Sequence, residues 1–255
     1  MNPASAAVVA GGLALAGRGL GWLTTSGTIA AVLVGTGVLA GRGFTGAALL
    51  GLFFISGSLL TKLSGRVSFQ REGFQAPQRN ARQVLANGAW AAVAALVPAA
   101  AGGWSLFAGA ISAAQADTWA TEIGAWSRTL PRMISTGEPV PHGTSGAISA
   151  TGTLGGVVGA ATTAALAFSL GASASTSVAA LVGGILGLFA DSWFGASMQA
   201  AYYCDTCCAK SQQQRHFCGR YARLTQGFAW LDNDVVNLFA TGVGATTALA
   251  AWHLL

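Results

Sequence analysis

Residues 116–146 read ADTWATEIGAWSRTLPRMISTGEPVPHGTSG, and the fold depends on where that stretch lies. It begins inside an apolar run of the kind that crosses a bilayer, yet it carries Asp117 and Glu122 there. It leaves through Arg128 and Arg132 into a Pro/Gly/Ser/Thr loop ending at Gly146. Carboxylates are costly inside a membrane and mark a pathway or a reactive site. Two of them, followed by two arginines and a small-residue loop, point to a site for metal and phosphate at the membrane surface.

The composition agrees with a membrane location. The chain has 255 residues, 53% hydrophobic and only 8% charged, where a soluble domain carries about 25% charged residues. Its 36 glycines suit helices that approach closely in lipid, where no hydrophobic force drives them together. The expected fold class is therefore all-α: a polytopic helical bundle forming a single membrane-embedded domain over 1–255. The net charge of +5 reports orientation and an anionic partner rather than nucleic acid. No signal-peptide pattern opens the chain, and Met1 to Ala16 reads as a first span.

Apolar runs long enough to cross a bilayer predict about eight transmembrane helices, over 3–17, 26–41, 43–61, 83–101, 103–125, 146–168, 176–200 and 231–252. Three polar segments interrupt them. They hold Lys62, Arg66, Arg71, Arg79 and Arg82, then Arg128 and Arg132, then Lys210, Arg215, Arg220 and Arg223. Two spans separate each segment from the next, so all three fall on one face, with Arg18. Of thirteen basic residues only Arg42 falls opposite. The positive-inside rule makes the common face cytoplasmic.

The acids gather at the same face. Asp117, Glu122, Asp191, Asp232 and Asp234 lie at span ends, while Glu72, Glu138 and Asp205 lie in loops. Hard oxygen ligands from several helices suit Mg²⁺ that also holds a phosphate. For Asp232 or Asn233 alone, capping of a helix start explains the residue equally well; it does not explain five carboxylates at one face. Arg79, Gln83 and Asn87 are four apart and Asn80 lies seven before Asn87, so a helix presents them as one stripe. Snorkelling accounts for the arginines but not for the deeper Asn87, and a polar site wall is the better reading. In the loop, Gly143 and Gly146 permit close backbone approach, and Thr144 and Ser145 offer hydroxyls to phosphate oxygens. No Gly-Lys-Ser/Thr closes it as in a Walker loop, and His142 is read as a bystander. The run GTLGGVVG, 152–159, spaces glycines for close helix packing rather than nucleotide binding.

All four cysteines fall in one polar segment, 201–226, read as a cytoplasmic Cys/His loop. Cys204-x2-Cys207 with His216-x-Cys218 supplies four ligands for a structural Zn²⁺, with Cys208 an alternative to Cys207. A reducing compartment disfavours a disulfide.

Six stretches carry a resemblance. They are LTTSGTIAAVLVG (23–35), RNARQVLANG (79–88), ADTWATEIG (116–124), PVPHGTSGAIS (139–149), GLFADSWFGASMQ (187–199) and LDNDVVN (231–237). In this order they resemble the transmembrane-protein-19-like family, a family of unknown function that includes plant and cyanobacterial phytyl-phosphate kinase. Thr121 stands where many members have serine, and the Cys/His segment is a trait of only some. The resemblance implies a membrane-embedded kinase, with a role in tocopherol and quinone biosynthesis, that makes a prenyl diphosphate from a prenyl monophosphate. Its donor would be a nucleoside triphosphate, CTP or ATP, with Mg²⁺. Asp117, Glu122, Asp191 and Asp234 would hold the metal, and Asp232 would act with them. Arg79, Asn80, Gln83, Asn87, Arg128, Arg132, the loop 143–146, Gln199, Asn233 and Asn237 would hold phosphates and nucleotide. The bundle would take the prenyl tail. A CTP-dependent cytidylyltransferase acting on a lipid phosphate, or a non-enzymatic ion or lipid transporter, are the alternatives. The oligomeric state stays open, a homo-oligomer included.

Overall fold

The structure is a computed structural model that describes residues 1–68 and 78–255. Arg71 and Glu72, counted above among the loop charges, lie outside the described residues, as does the side chain of Arg66. Among the described residues the helices are α1 (Pro3–Gly19), α2 (Thr25–Ser68), α3 (Ala81–Leu96), α4 (Gly103–Gly124), α5 (Ala150–Ser169), α6 (Ala174–Ser197) and α7 (Asn233–Leu254). Most start at a side chain that accepts from an otherwise free N–H of the first turn. Asn2 does this for α1, Asn80 for α3, Ser149 for α5, Ser173 for α6 and Asp232 for α7.

The long α2 is broken at Gly43, whose φ of 61° and ψ of −153° are open to glycine and closed to residues with a Cβ. The chain turns back there. Gly27, Gly37 and Gly41 run along α3 from Arg79 to Ala95, whereas Phe54 returns to the Trp22 ring, 5.6 Å away. The break falls where spans 26–41 and 43–61 are expected to divide. Arg42, beside it, donates to the carbonyls of Ala94 and Val97 at 3.1 and 2.6 Å. That contact gives the one basic residue of the opposite face a partner in the end of α3.

α4 is the axis of the bundle and packs against α2, α3, α5, α6 and α7. Residues Phe107 to Ala116 along it are all buried. Its neighbours reach it through small residues: Gly109 meets Gly244 and Ala248 of α7, and Gly187 of α6 meets Ala113. Gly152, Gly155, Gly156 and Gly159 form the α5 edge of that seam, against Ala120, Ile123, Ala116 and Gln115. Close backbone approach of this kind is how helices cohere in lipid. Large apolar side chains face outward instead, among them Val8, Leu13, Leu33, Phe44, Val93 and Leu154.

Among the described residues, four helices are long and apolar enough to cross a membrane: Thr25–Gly65, Ala150–Ser169, Ala174–Ser197 and Asn233–Leu254. The expected count of about eight is not reached by this measure. The helices α1 and α3 are short, with 17 and 16 residues, and α4 carries too many polar groups.

The chain is mostly helical, as expected, with short strands added in two of its loops. Strands β1 (Arg132–Met133) and β2 (Ala147–Ile148) pair antiparallel inside the loop after α4. The segment after α6 folds as a three-stranded antiparallel sheet, ordered β4 (Ala209–Ser211), β3 (Ala201–Cys204), β5 (Arg223–Gln226). Strand β3 alternates half-buried and buried residues, with Tyr202 and Cys204 inward, the two-residue period of a one-sided strand. That alternation is too short to be legible beside the long helical runs. Span edges move as well. α3 ends at Leu96 because Val97 is extended and Pro98 follows. α5 starts only at Ala150, since β2 occupies the residues before its Ser149 cap.

Candidate functional site: a polar cleft at one end of the bundle

The loops after α1, α4 and α6, the last turns of α2 and the first turns of α3 and α7 surround a cleft of about 940 Å³. Ser58, Thr61, Lys62 and Ser64 line it from α2, Gln83 and Asn87 from α3, and Asp117, Thr118, Thr121 and Glu122 from α4. Asp191 and Ser192 come from α6, Asn233, Asp234 and Asn237 from α7, and Arg79 and the loop 142–149 complete the wall.

The acids divide into three kinds. The carboxyls of Asp117 and Asp191 meet across the α4–α6 seam, within hydrogen-bonding reach of each other. With its amide nitrogen turned to the acceptors around it, Asn237 donates to Asp191 Oδ1 at 2.9 Å and to the Asn233 carbonyl at 3.1 Å. Glu122 is held differently. Its Oε1 accepts from Thr61 Oγ1 at 2.5 Å and its Oε2 accepts from Ser64 Oγ. Both its oxygens are thus engaged in tying α4 to α2. Asp234 lines the cleft 3.8 Å from Arg82 Nε, whereas Asp232 pairs with Arg82 Nη2 at 2.7 Å outside it and caps α7 through the Val235 N–H at 3.2 Å.

Among the described residues, neither Asp117 nor Asp191 has an ion-pair partner. Two facing carboxyls without an ion-pair partner can serve as donors for a hard divalent ion that shares its remaining positions with water and phosphate. No three cleft carboxylates among the described residues converge within 4.8 Å of one another. Of the four acids named from the sequence, Asp117 and Asp191 are the two brought face to face, while Glu122 and Asp234 line the cleft apart from them.

Among the described residues, the cations lining the cleft are Arg79 and Lys62. Arg79 sits just outside α3, with its backbone fixed to the α1–α2 turn: its N–H donates to the Trp22 carbonyl at 2.9 Å and its carbonyl accepts from Thr24 N–H at 3.1 Å. Gly27 makes room for that carbonyl, and Gly57 makes room for the guanidinium. The guanidinium carbon lies 5.2 and 5.6 Å from the ring centres of Phe53 and Phe54, a stacking arrangement that orients a planar cation. Burial pulls its pKa down from the ordinary arginine value, and the Glu122 charge opposes that shift. Lys62 lies over Trp22, 5.5 Å from its centre, and donates to the Leu20 carbonyl at 3.3 Å.

Several residues named from the sequence sit elsewhere. Arg128 and Arg132 are exposed and do not line the cleft. Arg132 Nη1 donates to the Gly137 carbonyl at 2.8 Å, closing its own turn. Asn80 caps α3 and exchanges a reciprocal pair of bonds with Gln83. Gln199, buried, accepts from Ser145 Oγ at 2.7 Å and so anchors the loop to α6. Gly143, Thr144, Ser145 and Gly146 do line the cleft, but Thr144 Oγ1 donates to the Pro141 carbonyl at 2.7 Å. Gly146, at φ 77°, packs against the Ala196 backbone where no Cβ fits.

The sequence reading missed Ser58, Thr61, Lys62 and Ser64. Their signal is SGSLLTKLSG, 56–65, with hydroxyls at three-residue spacing on one helical face. The Ser64→Ala variant is expected to lower stability by about 1–3 kcal/mol by removing a donor from a charged acceptor. Thermal unfolding in detergent would show it, and an unchanged midpoint would remove the tie between α2 and α4.

In the loop after α6, the ligand atoms of Cys204, Cys207, His216 and Cys218 lie within 4.8 Å of one another, and Cys208 stands outside the group.

The bundle and cleft define a polytopic membrane protein with a polar site at one end. The chain belongs to the family described as integral membrane protein DUF92, which matches residues 8–245. It is 34% identical over 176 residues to an uncharacterised membrane protein of Methanocaldococcus jannaschii, covering 68% of this chain and 74% of that one. It is 32% identical over 218 residues to Protein PGR of Arabidopsis thaliana, covering 71% and 74%. It is 28% identical over 243 residues to Protein VTE6, chloroplastic, of the same plant, covering 89% and 64%. No solved structure matches the chain.

Proposed function

We propose that this protein is a membrane-embedded kinase. It would transfer a phosphoryl group from a nucleoside triphosphate, CTP before ATP, to a prenyl monophosphate of the phytyl or geranylgeranyl class. The observation that carries this reading is the facing pair Asp117 and Asp191 in one cleft with Arg79 and Lys62, at the polar end of an apolar bundle. The resemblance to a family that includes phytyl-phosphate kinase supports the substrate class.

Phosphoryl transfer asks for positioning and charge neutralisation and little covalent chemistry from the protein. An oxygen of the prenyl phosphate attacks the γ-phosphorus. The bond from that phosphorus to the β–γ bridging oxygen breaks, and the nucleoside diphosphate leaves with the electron pair. The attacking oxygen is already ionised, so no general base is required. Arg79, oriented by Phe53 and Phe54, grips a phosphate, and Lys62 adds a second positive charge at the mouth. Asp117 and Asp191 would hold Mg²⁺, with Asn237 fixing the Asp191 carboxylate. The bound ion would neutralise triphosphate charge. Glu122, with both oxygens engaged, keeps α2 against α4 and balances Arg79. The prenyl tail lies among the helices.

The direct test is purified protein with phytyl and geranylgeranyl monophosphate, Mg²⁺ and labelled nucleoside triphosphates. Prenyl diphosphate and nucleoside diphosphate are the expected products. Pyrophosphate with a nucleotidyl lipid would make the protein a cytidylyltransferase instead. No turnover, together with ion or lipid flux in vesicles, would make it a transporter.

We read α2 as two spans meeting at Gly43, which gives about eight crossings, and assign the cleft to the cytoplasmic face from the basic residues at that end. An impermeant maleimide should reach a cysteine at Ser135, and the exposed native Cys208, only after permeabilisation. A cysteine at Ser169 should react in intact cells. Labelling of Ser135→Cys from outside would reverse the orientation.

A further inference from the structure

We propose that Cys204, Cys207, His216 and Cys218 hold a structural Zn²⁺ that fixes the segment after α6 as one wall of the cleft. The proposal does not depend on the reaction above. Three sulfurs and one imidazole are a complete tetrahedral set with no position left for substrate, the mark of a structural site.

The geometry is that of ligands around one ion. Two sulfurs each about 2.3 Å from a tetrahedral zinc lie roughly 3.8 Å apart, and a sulfur and a nitrogen slightly less. Cys204 Sγ and Cys218 Sγ are 3.7 Å apart, and His216 Nδ1 is 3.2 Å from Cys218 Sγ. A disulfide needs about 2.05 Å, so the pair is not poised as one. Cys208 is excluded because its Sγ turns to the Asp205 carbonyl at 3.6 Å, which leaves Cys207 as the ligand.

The backbone prepares both ligand turns. Cys207 and Cys218 are each followed by a residue of positive φ, Cys208 at 50° and Gly219 at 83°.

The segment also needs a staple. Its own buried cluster is only Ala200, Tyr202, Cys204 and Ala222, too small to order a three-stranded sheet unaided. Its reach to the cleft is direct, since Gln212 Nε2 donates to the Gly143 carbonyl at 3.3 Å and Gln212 itself lines the wall.

The test uses the full chain purified in detergent without chelators. Metal analysis is expected to find about one zinc per chain. Cys204→Ser and Cys218→Ser should lose it and Cys208→Ser should keep it. Because a ligand variant could fail to fold, wild-type protein is also titrated with a mercurial. Zinc release should then make Lys210, Arg215 and Arg220 rapidly accessible to trypsin, while helical circular dichroism of the bundle persists. Metal-free wild-type protein overturns the site, as does zinc retained by Cys204→Ser or lost equally by Cys208→Ser. Unchanged trypsin resistance after zinc release overturns its role as a staple.

Discussion

Asp117→Asn is expected to lower lipid-phosphate kinase turnover by ~100-fold or more, equivalent to ~2.7 kcal/mol of transition-state stabilisation. The substitution keeps size and hydrogen bonding and removes one negative charge from the pair with Asp191. The new amide can donate to Asp191, so folded yield should hold. The thermal midpoint without Mg²⁺ should stay level or rise, because the substitution removes a buried titratable group from the bundle. Asp191→Asn should behave alike. The double variant should lose little beyond either single one, since the two act as a unit. Glu138→Gln, in the exposed turn beside Arg132, is the control and should be nearly silent. Equal activity in Asp117→Asn and Glu138→Gln would sink the assignment of the pair.

Long-range assembly and local capping account for what the sequence did and did not disclose. Asp117 and Asp191 were legible because a carboxylate in an apolar run is conspicuous wherever its partner lies. Their meeting was not, since they lie 74 positions apart and the contact depends on small residues such as Ala113 and Gly187 seating α6 on α4. Asn80 and Asp232 looked like site residues by type, yet local cap geometry claims them both. Arg128 and Arg132 looked like a phosphate clamp by proximity to the loop. Both are exposed and neither lines the cleft, and Arg132 turns to the Gly137 carbonyl of its own β1 turn. Lys62 shows in the sequence only as a topology charge, because its position over Trp22 depends on the reversal at Gly43. The glycines of α5 were legible as a packing edge from spacing alone, since close approach of helices needs small residues at helical intervals.

Arg79→Ala should lower kcat/KM for the lipid phosphate by about 100-fold, and Arg79→Lys by about 10-fold, with KM carrying most of the second loss. The effect follows from the seat of the side chain. The Arg79 backbone is fixed by the Trp22 carbonyl and the Thr24 N–H, contacts that survive either substitution, so the helix ends should stay in place. What changes is the planar group between Phe53, Phe54 and Gly57. Lysine keeps a charge there but loses the flat stacking surface and the two-pronged grip on phosphate. Removing the charge altogether also takes from Glu122 the positive charge of Arg79, leaving its hydrogen bonds from Thr61 and Ser64. Arg132→Lys supplies the contrast, since it alters a turn contact to Gly137 outside the cleft and should retain near wild-type kinetics. Steady-state assays on the three variants at matched folded yield decide between the two arginines. Wild-type kinetics in Arg79→Ala with a loss in Arg132→Lys would move the phosphate site out of the cleft and onto the loop.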